Sequence, residues 1–329
     1  MRIYIGLIAV LVGCQEEVEP APAPAPDVVQ PAAPVQVKRK VSTLGMVRIP
    51  SAVVSMGPRH MPPVSPEYAH TGPPPTGGDP PKNVVPSHWV SMGGRGLMAR
   101  KVNVVPFLID QREVTRASYA IFLQNTGYRL PHVGETWADD GWNWTSAEVP
   151  PEYAQHPVVM VSYYDAKEYC RWVGKRLPTE AEWQLAALGP ALEQRDYPWG
   201  SRYSDDALNH GRVETPNFDA SDGFERTAPV GSFPKGRSPY GVDDMFGNVW
   251  EYTSDYRIDD WRQSTSNGFG PHGEMLEAKA PGPGLQIAVR GGSFYFDFRP
   301  QPGGEWTSFV PEIRRKSAGF RCALGVSPT

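Results

Sequence analysis

The 329-residue chain has 32 basic and 36 acidic residues, a net charge of −4, which argues against nucleic acid as its main partner. Its 33 glycines and 36 prolines make up roughly a fifth of the chain, against an average near 12%. Many loops, modest regular structure and a disordered segment are therefore expected, in one large domain or two ordinary ones.

The chain opens with "MRIYIGLIAVLVGC": a single positive charge, Arg2, then an apolar run from Ile3 to Val12. A bilayer span needs about 20 apolar residues, so this run fits the hydrophobic part of a secretory signal instead. "LVGC" resembles a bacterial lipobox, with Cys14 as the lipidated residue and mature N-terminus. This implies signal peptide 1–13 and a lipoprotein of the cell envelope, facing the periplasm or in the outer membrane. Gln15, where an Asp would retain a protein at the inner membrane of some cells, leans toward the outer one. Residues 15–42 follow with Pro-Ala alternation, "EPAPAPAPD", which favours polyproline II and cannot build a core. Residues 14–43 thus read as a lipidated tether reaching up to ~80 Å. Its "VKRK" (37–40) reads as a solvated charge cluster that could also touch anionic lipid.

From residue 44 to 327 the chain reads as the folded part. "MVRIPSAVVSMG" (46–57) alternates like a strand, and the Pro/Gly-rich residues 58–97 read as surface loop. "VNVVPFLIDQREV" (102–114) reads as a second strand. Thr115 can cap a helix whose Tyr119, Phe122 and Leu123 fall at i, i+3 and i+4, with Gly127 beyond its end. "HPVVMVSYYDAKEYCRWVG" (156–174) reads as a strand running into a helix stopped by Gly174. Thr179 and Glu182 form a capping box for a helix ending near Gly189. Beyond it, turns and short strands dominate, with "GNVWEY" a buried strand whose Trp250 is core by default. No internal repeat is present.

The chain has three cysteines, and if Cys14 carries lipid, Cys170 and Cys322 remain in an oxidising setting, where two leftover cysteines most often pair. No GxSxG elbow, HExxH or P-loop occurs, and the seven histidines are scattered, His156 before Pro157 reading as structural.

The ordered motifs "RIPSAVVSMG", "DQREVTRASYAIFL", "HPVVMVSYYDAKEYCRWVGKRLPTEAEWQLAALG", "YPWGSRYSD", "APVGSFPKGRSPYGVDDMFGNVWEYTSD", "VRGGSF" and "AGFRCA" resemble the sulfatase-modifying-factor family. This is the family of formylglycine-generating enzymes and their paralogues. The resemblance implies an α+β fold of C-type-lectin-like topology, a single domain poor in regular structure. It also implies a Cys170–Cys322 disulfide, which would close a loop worth about 4–5 kcal/mol in the chain-entropy model.

Formylglycine-generating enzymes carry two cysteines shortly after the "GGS" bend that bind Cu(I). Aligned from Gly291-Gly292-Ser293, those positions here are Phe296 and Gln301, and neither replaces a soft thiolate. Copper is therefore not expected, while Ser293 and Trp250 match positions lining the family's active-site region, where a pocket could persist. Calcium is the expected cofactor. The resemblance maps a first site onto Asn209 and Asp222 side chains with carbonyls of His210 and Phe224. A second maps onto Asp244 and Glu251 side chains with carbonyls of Gly247 and Val249; turn chemistry in "SDGF" and "VDDMFGN" is the plainer reading.

Three functions follow. The leading one is a lipid-anchored, calcium-stabilised binding or accessory module with an envelope protein or glycan as partner. The second is a cysteine-independent tailoring enzyme, resembling family members that act in siderophore maturation. The third is a formylglycine-generating oxidase. The insertions at 58–97 and 256–287 read as solvated loops.

Overall fold

Prolines decide where the first strands stop. The computed structural model describes residues 41–56, 100–139, 141–193, 195–211, 220–258, 285–295 and 306–326. The first expected strand is two, β1 (Met46–Ile49) and β2 (Ala52–Met56), broken at Pro50. The second is likewise β3 (Arg100–Val104) and β4 (Phe107–Asp110), broken at Pro106. Proline has no N–H to give a ladder, so each run changes sheet there. β2 and β3 pair with each other, whereas β1 and β4 join β9 (Ala323–Gly325) in an antiparallel sheet, order β1-β4-β9.

Three helices follow where capping chemistry starts them. Helix α1 (Arg116–Thr126) begins at Thr115, whose side chain accepts from the Ser118 N–H. It ends at Gly127, left-handed at φ 66°. Helix α2 (Tyr163–Trp172) has a capping box between Ser162 and Asp165, and α3 (Glu180–Leu188) has the expected one between Thr179 and Glu182. Every residue of α3 is buried. The strand expected before α2 is absent: residues 157–161 make one isolated bridge, Pro157 to Thr115. Their N–H groups reach irregular partners instead, Val158 to the Val114 carbonyl and Met160 to that of Arg315.

A second sheet has the order β7-β6-β5-β8, from β7 (Trp306–Phe309), β6 (Leu285–Arg290), β5 (Trp250–Ile258) and β8 (Ala318–Gly319). Only β5–β8 is parallel. The apolar interior gathers in three clusters. One lies between α1, α2 and the second sheet, another packs α3 against the first sheets, and a small one holds Trp142, Met160, Val249 and Phe294. Mixed short helices and strands with long connections make this an α+β fold.

Candidate functional site

The "GGS" bend sits where two turns interlock. Gly291 and Gly292 are both left-handed, at φ 100° and 78°. A Cβ on Gly291 would stand 3.0 Å from the Met245 carbonyl oxygen and 3.3 Å from the Trp183 ring, so only glycine fits. Its carbonyl accepts from the Gly247 N–H (2.8 Å), and the Phe294 N–H donates to the Asn248 carbonyl (2.9 Å). Ser293 and Trp250 are buried, but in different environments. Trp250 packs edge-on against Phe309 in the cluster around α1 and α2. Ser293 accepts from the Tyr295 N–H, and next to it Phe294 stacks on Trp142 at 6.0 Å. Phe296, Gln301 and Cys14 lie outside the described residues. Cys170 and Cys322 are joined in a disulfide with their Cα atoms 5.7 Å apart.

The residues mapped to the first cation site converge. Asp222 draws the loop together: its two oxygens accept from the His210 N–H (2.8 Å) and the Phe224 N–H (2.9 Å). Beside it Asn209 is buried and donates its amide to the Arg226 carbonyl and to Asn248 Oδ1. Its own Oδ1 is buried with no hydrogen-bond partner. A buried acceptor left unpaired costs about 1–3 kcal/mol, and a hard cation is one group that would satisfy it.

The second mapped set is more committed to the protein. Both Glu251 oxygens are bound by the guanidinium of Arg321, Oε1 at 2.6 Å and Oε2 at 2.7 Å, and Oε2 also accepts from the Trp183 indole at 2.8 Å. Asp244 accepts from the Gly231 N–H at 2.5 Å. Asp244 and Asn248 are two of three described non-glycine residues with positive φ, so the 244–248 turn carries local strain. Gly247 and Val249 lie within or just beyond that turn.

Between the two sets stands a carboxylate that sequence reading missed. Glu113 is buried, accepts from Asn248 Nδ2 at 3.0 Å, and lies within hydrogen-bonding reach of the Asp244 carboxyl, a contact that needs a proton between them. Burial, then the nearby Asp244 charge, pushes its pKa well above the usual carboxylate range. Burial likewise pushes Asp244 up to about 6. Glu113, Asp244 and Glu251 thus face one buried cation, Arg321, in the same electrostatic neighbourhood. That excess of acid and the unpaired Asn209 Oδ1 are what a hard cation would offset, but among the described residues no three His, Cys, Asp or Glu side chains gather as a ready metal cluster. No nucleophile–base pair is assembled by the mapped residues. Glu113 ends an apolar alternation at the start of α1 and reads in sequence as an ordinary surface charge; Asn248 reads as a turn residue.

Residues 35–326 match the sulfatase-modifying factor enzyme 1-like domain. The chain belongs to this family. It is 32% identical to the formylglycine-generating enzyme of Mus musculus over 272 residues, covering 70% of this chain and 69% of that one. To the inactive Cα-formylglycine-generating enzyme 2 of Bos taurus it is 35% identical over 187 residues, covering 47% of this chain and 62% of the other. Among solved structures, PvdO from Pseudomonas aeruginosa superposes with a TM-score of 0.55 at 26% identity, covering 85% and 94% of the two chains.

Proposed function

We propose that this sulfatase-modifying-factor domain is a calcium-stabilised binding or accessory module of the cell envelope, anchored through Cys14, without formylglycine-generating activity. One observation carries the catalytic part. The chain has three cysteines and two are joined in a disulfide, which leaves a single thiol where a bis-thiolate copper centre needs two. The lipobox-like "LVGC" and the Pro-Ala tether support the anchor, and the C-type-lectin-like topology that the family resemblance implies is the ground for proposing a protein or glycan partner. The alternative, a cysteine-independent tailoring enzyme, needs a perturbed group open to substrate. Glu113 and Asp244, two carboxylates with raised pKa, are buried in the Arg321 cluster instead, and the shifted Asp110 and Asp206 are tied to Lys175 and Lys235, which favours the first reading.

The catalytic half is tested by incubating the full-length protein with Cu(I), oxygen and a Cys-x-Pro-x-Arg peptide, with mass spectrometry of the peptide. No mass change of the cysteine is expected; conversion to formylglycine would sink the proposal.

Calcium is tested by thermal unfolding in chelator against excess Ca²⁺. A ligand at a hundredfold excess over its Kd adds about 2.7 kcal/mol, so saturation should raise Tm by about 5 °C. The pH dependence has a definite sign. The raised native pKa of Asp244, about 6, makes its contribution to stability complete below the unfolded value and lost as pH rises through about 6. In chelator, stability should therefore fall between about pH 4 and 7 on account of this group, and Ca²⁺, which binds the ionised form, should offset the fall. Equal Tm with and without Ca²⁺ at pH 7.5 would remove calcium from the proposal.

A further inference from the structure

An unpaired buried acceptor, Asn209 Oδ1, marks the candidate cation site; unpaired buried donors gather elsewhere. Arg116, the first residue of α1, is 9% exposed, and Trp144 is 7% exposed. Arg116 Nε and the Trp144 indole N–H are both buried with no hydrogen-bond partner. The two side chains belong to one stack: the Arg116 guanidinium lies 5.8 Å from the Trp144 ring and 5.2 Å from the Tyr153 ring. Among the described residues, no carbonyl or carboxylate accepts from that guanidinium, and the acidic group that acts on it is the weakly acidic Tyr153 phenol of the stack itself. Burial first, and then repulsion by Arg226, itself stacked on Trp142, hold the Arg116 pKa below its ordinary value against the opposing pull of the Tyr153 phenol. His156, 3.0 Å from Thr227 and edge-on to Tyr153, is held toward its neutral form, first by burial and then by Arg116.

A guanidinium fixed between two ring faces has lost little further rotamer freedom to lose, and its in-plane N–H groups are shaped for an oxyanion. The backbone N–H groups at this helix start are already engaged, Arg116 by the His156 carbonyl and Ala117 by that of Ala154. The unmet demand is therefore on the side chains, and it is for acceptors carrying negative charge. Water would satisfy the hydrogen bonds but not the uncompensated cation, which costs far more to bury than a neutral donor.

We propose that Arg116 and Trp144 form an anion-binding niche, walled by Tyr153, that takes a carboxylate. The carboxylate comes either from a free small anion or from an acidic side chain of a bound partner. The niche is independent of the cation site and of any catalysis.

The experiment follows the indole N–H signals of the ¹⁵N-labelled full-length protein by NMR during titration with sodium formate, sodium chloride and penta-glutamate. The Trp144 signal is identified from its absence in Trp144→Phe. A saturable formate-dependent shift of that signal is expected, weakened about tenfold in Arg116→Gln and less in Arg116→Lys, which keeps charge but loses the planar fork. Tighter binding of penta-glutamate than of formate at equal carboxylate concentration identifies a partner's side chain as the source; equal or weaker binding identifies a free anion. An unresponsive or unsaturable Trp144 signal overturns the niche, as does a shift unchanged in Arg116→Gln. Should Arg116→Gln not fold, the formate-induced rise in Tm decides in Trp144→Phe, which keeps a ring and removes the donor. The niche requires that rise to shrink, and full retention overturns it.

Discussion

Replacing Arg321 by methionine is expected to lower the free energy of unfolding by about 3–5 kcal/mol, the usual cost of stripping one partner from a buried ion pair. Arg321 is completely buried, and its donors are spread over the fold. It binds Glu251 in β5 through two contacts, the carbonyls of Asp110 at the end of β4 and Gln111 just after it, and the Asp243 carbonyl. One side chain thus ties the first sheet to the second and to the 243–248 turn. Its removal leaves the Glu251 carboxyl buried without its guanidinium partner and takes a stabilising positive charge from Glu113 and Asp244. Methionine fills much of the volume, so the loss reads the electrostatics rather than a cavity. Urea unfolding measures it. A loss under about 1 kcal/mol would mean that water reaches Glu251 and that the cluster is not the low-dielectric centre its burial indicates. The double variant Arg321→Met with Glu251→Gln removes both charges and keeps an acceptor for the Trp183 indole, so it should recover more than half of the loss.

How legible this cluster is from sequence depends on whether a residue announces its environment locally. Thr179 and Glu182 do: a capping box needs only residues three apart, and both of its hydrogen bonds form as expected. Thr115 and Gly127 do as well. Pro50 and Pro106 announce the strand breaks, yet the alternation on either side hides them, because the same pattern continues into a different sheet. "HPVVMV" fails for the opposite reason. A short apolar run between turns is compatible with any buried backbone. Here Met160 takes φ 61° and bonds to a carbonyl some 150 residues away, which no local pattern encodes. Asn209, Asp222 and Asp244 are singled out by family resemblance alone, whereas Glu113 and Arg116 look like the solvated charges that flank most helices. Their roles come from partners distant in sequence: Asn248 for Glu113, Trp144 and Tyr153 for Arg116.

Removing the disulfide, by Cys170→Ala with Cys322→Ala, should cost a comparable 3–5 kcal/mol, and the route of that loss is itself informative. The bond joins residues 152 apart, so the chain-entropy model assigns it about 5 kcal/mol through the unfolded state. The native geometry has independent support. Asp110 accepts from the Cys322 N–H at 3.0 Å and pairs with Lys175 at 2.6 Å, while the Lys175 N–H bonds to the Cys170 carbonyl. One carboxylate therefore already clamps the two segments that the sulfurs join. Aromatic rings of Tyr119, Tyr169 and Phe320 pack around them. With the folded positions held in this way, the variant should keep its native spectrum and refold more slowly, with an unfolding rate changed little and a urea m-value raised by the more open denatured chain. Stopped-flow chevrons separate the cases. An unfolding limb that accelerates while refolding is unchanged would show that the bond acts in the native state, and that the Asp110 clamp cannot hold α2 to β9 without it.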